Sequence, residues 1–344
     1  MRTHAPFVEA PAAPPALSVV LVTTGGFSNI RRTVRHLRAQ TIQSRLELIV
    51  VASSEEAIAD RQPHETAGFQ RVLVVSAGPI DNVDKSAAAG IRRATAPVVA
   101  IVEDHAYPEP EWAAALVEAH RDSHIAVGPA VLNANPSSVL SWTNMLLAYG
   151  RWGEDASPGE IDDVARHNSS FKREALLSYG DDLERLLGRE GGLLQDLRAK
   201  GHRFSLQPAA RIAHLNPSRL VSTADLRFNA GRLYGASRAA RNRWSLPKRL
   251  LYAAAGPLIP FVRFRRLRKD LFGAGRRRAL VPRVYPALLL GLAFDGAGQM
   301  AGYLFGAGRS PDKLAVFEMD RLQHLTARDR EAIDEAGRAS APAS

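Results

Sequence analysis

Four predominantly apolar runs mark the first third of the chain, at 17–23, 46–52, 71–75 and 97–102. They are rich in Val, Ile and Leu and do not alternate with polar positions, so they read as strands covered on both faces. Between them the period lengthens. Ile30, Val34 and Leu37 fall at i, i+4 and i+7 with arginines on the other side, which predicts a helix with Ser28 as its N-cap. An alanine-rich helix follows over 84–94, then a helix over 110–120 and a short strand over 124–129. The stretch 133–159 mixes Pro, Ser, Trp142 and Trp152 and reads as irregular or broken helix. A helix over 181–200 closes at Gly201, with short strands over 203–206 and 211–214. Strand and helix alternating with short connections predict an α/β fold around a mostly parallel sheet.

One strand ends in chemistry. The buried run through Val102 stops at Glu103-Asp104-His105, placing two carboxylates and an imidazole at the carboxyl tip of a strand. Open α/β sheets bind ligands there. Carboxylate oxygens and a histidine nitrogen within one turn suit a divalent cation, and a cation there can hold a diphosphate. Trp112, Trp142 and Trp152 are either core residues or a platform for an acceptor.

Composition narrows the classes. Hydrophobic residues make up 46% of the 344, enough for a sizeable core, and no cysteine is present. Thiolate metal sites, disulfides and a cysteine nucleophile are therefore excluded. Residues 1–16, rich in Ala and Pro, read as a disordered lead-in without the apolar centre of a signal peptide. Charge is uneven: residues 221–290 hold 16 Lys/Arg against two acids, Asp225 and Asp270, within a chain of net charge +10. A boundary near 220 and a negatively charged partner follow.

Within that region 284–305 is apolar and 22 residues long, interrupted by Asp295 and Gln299 and flanked upstream by Arg276, Arg277, Arg278 and Arg283. Its length allows a bilayer crossing, and its arginines suit a cytoplasmic anchor; docked core helices are the alternative. The expected organisation is a lead-in over 1–16, a catalytic α/β domain over 17–220, a basic, apolar, membrane-associating helical region over 221–310, and a polar, loosely held tail over 311–344.

Strand, Gly-Gly loop, helix, and then a strand ending in acids resemble the family 2 glycosyltransferases of GT-A fold, of the inverting, cell-envelope type, over residues 17–215. That resemblance implies a Rossmann-like mixed, mostly parallel sheet and a nucleotide-sugar donor. Thr23, Thr24 and Gly25 match the loop that wraps the nucleotide, and Glu103 and Asp104 the diphosphate-binding tip. Glu55 stands in for the usual Asp after the second strand. Lys85, with Asp84, replaces an Arg-Asn pair whose places are taken by Ala87 and Ala88. The resemblance implies a cation, Mn²⁺ or Mg²⁺, on Asp104, His105 and His214, the imidazoles favouring Mn²⁺. It implies Glu190 as catalytic base, and an acceptor loop opening at His167 with Asn168, Lys172 and Arg173.

The expected reaction moves a sugar to a lipid-linked or cell-envelope glycan acceptor at the cytoplasmic face of the membrane, held there by anionic lipid. A nucleotidyltransferase of related fold is the alternative enzyme, but 23–27 lacks the Lys typical of its first loop. A non-catalytic basic protein binding membrane or nucleic acid is the third reading. The aromatics at 228, 234, 244, 261 and 264 interleave with arginines as such a protein requires, yet the long apolar runs beside them suit a bilayer better than nucleic acid.

Overall fold

The structure is a computed structural model and describes residues 13–188, 192–271 and 276–339. The predicted lead-in as far as residue 12, and Glu190, lie outside the described residues. The chain opens with β1 (Leu17–Val22), α1 (Phe27–Arg38), β2 (Leu46–Ala52), β3 (Arg71–Ser76), α2 (Val83–Arg93), β4 (Val98–Val102), β5 (Ala106–Pro108) and α3 (Trp112–Ala119). It continues through β6 (Ala126–Asn133), α4 (Val139–Tyr149), β7 (Gly159–Ile161) and β8 (Ser170–Lys172). Then come α5 (Arg173–Leu177), α6 (Asp182–Leu187), α7 (Leu193–Ala199) and β9 (Phe204–His214). The remainder is helical: α8 (Leu220–Arg241), α9 (Leu246–Ala254), α10 (Ile259–Leu271), α11 (Arg276–Phe305), α12 (Ser310–Met319) and α13 (Ala327–Ala339).

The strands form one mixed sheet in the order β3-β2-β1-β4-β8-β6-β9-β5, with β7 paired to β9. β3, β2, β1 and β4 are parallel neighbours. β8 runs antiparallel to β4 and β6, while β6 pairs parallel with β9. One face of the sheet buries Phe27, Ile30, Val34 and Leu37 of α1 and Trp112 and Leu116 of α3. The other buries Ala87, Ala88 and Ile91 of α2 with Leu183, Leu187 and Leu197 of α6 and α7. Apolar side chains on both faces of β1, β2 and β4 are why these strands are continuous apolar runs.

Several local expectations are corrected. α1 begins at Phe27, so Ser28 lies inside its first turn. A distant carboxylate caps it: Asp60 accepts the backbone N–H of Phe27 at 2.6 Å and of Ser28 at 2.8 Å. The 133–159 stretch holds the regular helix α4, with Ser138 capping Ser141 N–H. The 181–200 helix breaks after Leu187, at Gly188. The strands predicted over 203–206 and 211–214 are one strand, β9, bulged so that Pro129 pairs with Gln207 but Ala130 with Arg211. Trp112 is fully buried, and Trp142 and Trp152 pack against the same core with their indole N–H groups on the Pro136 and Asp163 carbonyls. The tryptophans serve the core.

The helical layer is held by glycines. A Cβ on Gly298 of α11 would lie 2.0 Å from the Phe228 carbonyl oxygen, and one on Gly231 of α8 would lie 2.2 Å from that of Asp295. The two helices therefore touch backbone to backbone through reciprocal small-residue stripes. Pro282–Phe305 within α11 is long and apolar enough to cross a membrane, and half of its most apolar window is buried against protein. Its polar residues turn inward: Asp295 pairs with Arg263 and accepts from Gln299 at 2.7 Å. Where a loosely held helix followed by disorder was expected after Asp312, the chain folds back over the sheet's carboxyl edge as two helices, α12 and α13. Ser310 bonds Asn229, His324 O accepts from Ser218 N, and Asp329 accepts from Ser137.

Candidate metal and nucleotide site

β4 carries its apolar residues through the sheet and releases Glu103, Asp104 and His105 past its carboxyl end. Two neighbouring strands bring the remaining groups. β5 pairs antiparallel with β9 so that Ala106 faces His214, which sets the imidazoles of His105 and His214 edge to face, 4.9 Å apart. β8 pairs Ser170 with Ala100, so Asn168 runs back toward the tip. Asn168 holds a left-handed backbone, φ 66°, a conformation Asn tolerates better than most residues. Its amide donates to Glu103 Oε2 at 2.7 Å, and its carbonyl oxygen accepts the Glu103 N–H at 3.2 Å.

The hydrogen bonds fix both imidazoles. His105 Nδ1 lies 2.6 Å from Asp104 Oδ1, so that nitrogen carries the proton and Nε2 presents a lone pair. That Nε2 is buried and has no hydrogen-bond partner among the described residues. His214 Nδ1 lies 3.0 Å from Asn216 Oδ1. The Asn216 amide nitrogen donates to Asn133 and to the His214 carbonyl, leaving its oxygen to accept from Nδ1–H. His214 Nε2 therefore also presents a lone pair, 3.3 Å from Glu103 Oε2 and 3.3 Å from the Tyr149 hydroxyl.

Electrostatics match. Burial opposes a charge on Glu103, but the surrounding imidazoles, foremost His167, whose own proton affinity is raised, outweigh it and hold the carboxyl well below its usual range. Burial pushes His214 down against the pull of Glu103, keeping it neutral. His167 is the reverse case: burial is outweighed by Asp84 and Glu103, and its affinity for a proton rises. It bridges Asp84 Oδ1 at 3.0 Å and Glu103 Oε1 at 3.6 Å.

Glu103, His105 and His214 offer donor atoms within 4.8 Å of one another, all buried. One anionic oxygen and two neutral nitrogens, each imidazole held from behind by Asp104 or Asn216, is a donor set that fits a divalent cation. Asp104, expected to bind the ion directly, sits behind His105. Glu103, expected on the diphosphate, is in the group instead.

The other predicted residues divide. Thr23 is buried at the end of β1 and its hydroxyl accepts from Gly25 N–H, while Thr24 donates to the Met319 carbonyl at 3.1 Å. Lys85 and Glu55 are exposed, Lys85 in the first turn of α2 and Glu55 beyond β2. Lys172 and Arg173 do not join Asn168. Val98 pairs with Lys172, so both basic residues stand at the opposite end of β4, and Lys172 Nζ donates to the Asp122 carbonyl. An antiparallel strand reverses direction, and the five residues of β4 put about 13 Å between its ends. Sequence reasoning placed Asp84 beside Lys85 and His167 at the start of the acceptor loop without linking either to Glu103, and missed Glu318 and Arg321, which α12 and the turn after it bring to the tip. The acidity and basicity of the latter pair were the only signal. A cavity of about 510 Å³ adjoins Asp104 and His105, with Arg32, Arg35 and Arg321 in its wall.

Residues 18–180 match the family described as Glycosyl transferase family 2. Over 172 residues the chain is 26% identical to glucosyl-dolichyl phosphate glucuronosyltransferase of Haloferax volcanii, covering 48% of this chain. The match spans about half of that relative, 55% of its length. Among solved structures, mannosyltransferase PcManGT from Pyrobaculum calidifontis, in complex with GDP-Man and Mn²⁺, aligns over 92% of this chain and 91% of its own, with 19% identity and a TM-score of 0.49. GalNAc-T7 with UDP, GalNAc and Mn²⁺ aligns over 60% of this chain and 44% of its own, with 15% identity and a TM-score of 0.38.

Proposed function

We propose that this glycosyltransferase, whose residues 18–180 form a family 2 domain, transfers a sugar from a nucleotide-sugar to a lipid-linked acceptor at a membrane surface. The observation that carries the reading is the pair of imidazoles at the tip of β4. Both present Nε2 lone pairs, and both face the ionised Glu103. The Tyr149 hydroxyl reaches one of these lone pairs, whereas that of His105 is buried without a partner among the described residues, and a cation beside the carboxylate would satisfy it. Glu103, His105 and His214 would hold it, and nitrogen donors favour Mn²⁺ over Mg²⁺. When bound, the ion neutralises charge developing on the departing diphosphate.

The chain's own groups do the rest. Asp104 and Asn216 keep the imidazole protons on the far nitrogens. Asn168 clamps Glu103, and Thr23, Thr24 and Gly25 offer the nucleotide a polar loop. Arg32 and Arg35 line a cavity of about 510 Å³, within the range of substrate sites, and suit a phosphate-bearing substrate. Glu190 is the base we assign to the acceptor hydroxyl; a single base without a carboxylate nucleophile gives direct displacement and inversion.

The lipid-linked acceptor is supported by the relative named for glucosyl-dolichyl phosphate and by the surface of the helical layer. Leu251 is 66% exposed and Phe261 70% exposed, beside exposed Leu246, Leu250, Leu258 and Val262. Lys248, Arg265 and Arg266 are exposed among them. Apolar residues interleaved with cations suit insertion into one face of an anionic bilayer. α11 lies behind this surface, pressed on α8, so we place the helical layer on the cytoplasmic face of the membrane instead of across it.

A thermal-shift screen of UDP-, GDP- and dTDP-sugars with Mn²⁺ or Mg²⁺ tests the reading. Stabilisation by the nucleotide is expected to require the metal and to vanish in Glu103→Gln. Stabilisation by nucleotide alone, equal in wild type and Glu103→Gln, would remove the metal from the reaction.

A further inference from the structure

The C-terminal segment 310–325 crosses the same tip, and its placement is constrained from several sides. Leu314 and Phe317 of α12 are buried. Thr24 of the nucleotide loop holds the Met319 carbonyl, and backbone and side-chain bonds tie the turn beyond it to Ser218 and Arg219. This docking aims Glu318 inward. Its Oε2 lies 3.8 Å from His105 Nε2, the same distance at which Glu103 Oε1 stands from that nitrogen.

The unpartnered lone pair of His105 thus faces two carboxylates, neither close enough to bond it. Donors bound to one ion at about 2.0–2.3 Å stand about 3–4 Å apart, and each carboxylate oxygen stands 3.8 Å from His105 Nε2. A pocket of about 30 Å³ opens there between Glu103, His105, His167 and Glu318, with room for an occupant about the size of one water. Arg321 pairs with that same Oε2, lies over the Phe317 ring and is itself buried, so the guanidinium fixes where the carboxylate stands.

We propose that Glu318 is a fourth ligand of the cation held by Glu103, His105 and His214, so that the C-terminal strap is a working part of the catalytic site. This rests on the metal reading above and adds to it a residue outside the family 2 domain, 213 positions downstream of His105. Arg321 is a positioning residue for that carboxylate. The strap is also anchored on α8, so the membrane-facing helical layer and the metal seat share one support.

Mn²⁺ alone is the probe, followed by electron paramagnetic resonance titration of the full chain without nucleotide, with metal-free melting curves as the check on folding. Glu318→Gln is expected to raise the Mn²⁺ dissociation constant by about 10- to 100-fold. Glu318→Asp, which keeps the charge, should recover part of the loss. Arg321→Gln breaks the same ion pair yet leaves the carboxylate, and should bind Mn²⁺ more tightly than Glu318→Gln. If Glu318 serves only Arg321, both Gln variants will lower the melting temperature alike and leave Mn²⁺ affinity at the wild-type value. That result overturns the proposal. Loss of binding in Glu103→Gln alongside it would leave the metal reading intact, whereas no Mn²⁺ binding by the wild type would overturn both.

Discussion

At the scale of single residues, a carboxylate stays buried and ionised where donors surround it. Glu47 is the second residue of β2, wholly buried, yet it accepts from Ser18, from the N–H and hydroxyl of Thr95, and from Arg71 at 2.6 Å. Burial favours its neutral form, but these donors outweigh it and lower its proton affinity below the ordinary value of 4.5. A carboxylate shifted down stabilises the fold above its unfolded value and loses that contribution as pH falls through the folded one. Glu47→Gln should therefore melt well below wild type near pH 7, by about 3 kcal/mol, with the gap closing as pH falls below 4.5. Denaturant titrations at the two pH values check this. The same economy governs the site, where Asp104, which reads in sequence as a metal ligand, spends its oxygen on His105 Nδ1.

Elements matter here through their ends and their contacts. β4 and β9 are ordinary apolar strands that become functional because β5, just after β4, pairs Ala106 with His214 and brings the end of β9 to the tip of β4. Lys172 and Arg173 follow Asn168 by only a few residues, but an antiparallel strand carries them away from the tip. α8 and α11 make the complementary point. Their contact leaves no space for a side chain, so Gly298→Ala, whose Cβ would lie 2.0 Å from the Phe228 carbonyl, should destabilise the protein by about 3 kcal/mol. Gly180→Ala is no match for it as a control because its φ is +53°; Gly150, with nothing within 4 Å of its Cβ position, is the appropriate comparison. Circular-dichroism melts of Gly298→Ala and Gly150→Ala should differ accordingly.

On the scale of the whole molecule, a sheet domain and a helical layer are joined by a strap that returns to the sheet's carboxyl edge. The exposed apolar residues of α9 and α10 predict binding to vesicles of anionic phosphatidylglycerol. Replacing Leu251, Leu258 and Phe261 together by Ser removes about 1.5–3 kcal/mol of burial each and should abolish co-sedimentation. High salt should weaken wild-type binding but not eliminate it, since each cation adds about 1 kcal/mol that salt screens. Full release of the wild type by salt alone would count against insertion.

What the sequence determined by itself was local or short in range. Apolar runs without alternation identified the parallel strands, because strands covered on both faces admit little else. Glu103, Asp104 and His105 stood out because charge at the end of a buried strand has to be used. His214 was reachable through the resemblance to a known family, and the structure brings it to the same tip. The tertiary structure alone decided which carboxylate faces the imidazoles, that Lys172 and Arg173 point away, and that Glu318 arrives from the far end of the chain. Those outcomes depend on strand register and on helices packed through glycine. Neither leaves a periodic trace in the sequence, because each is fixed by contacts between residues far apart along it.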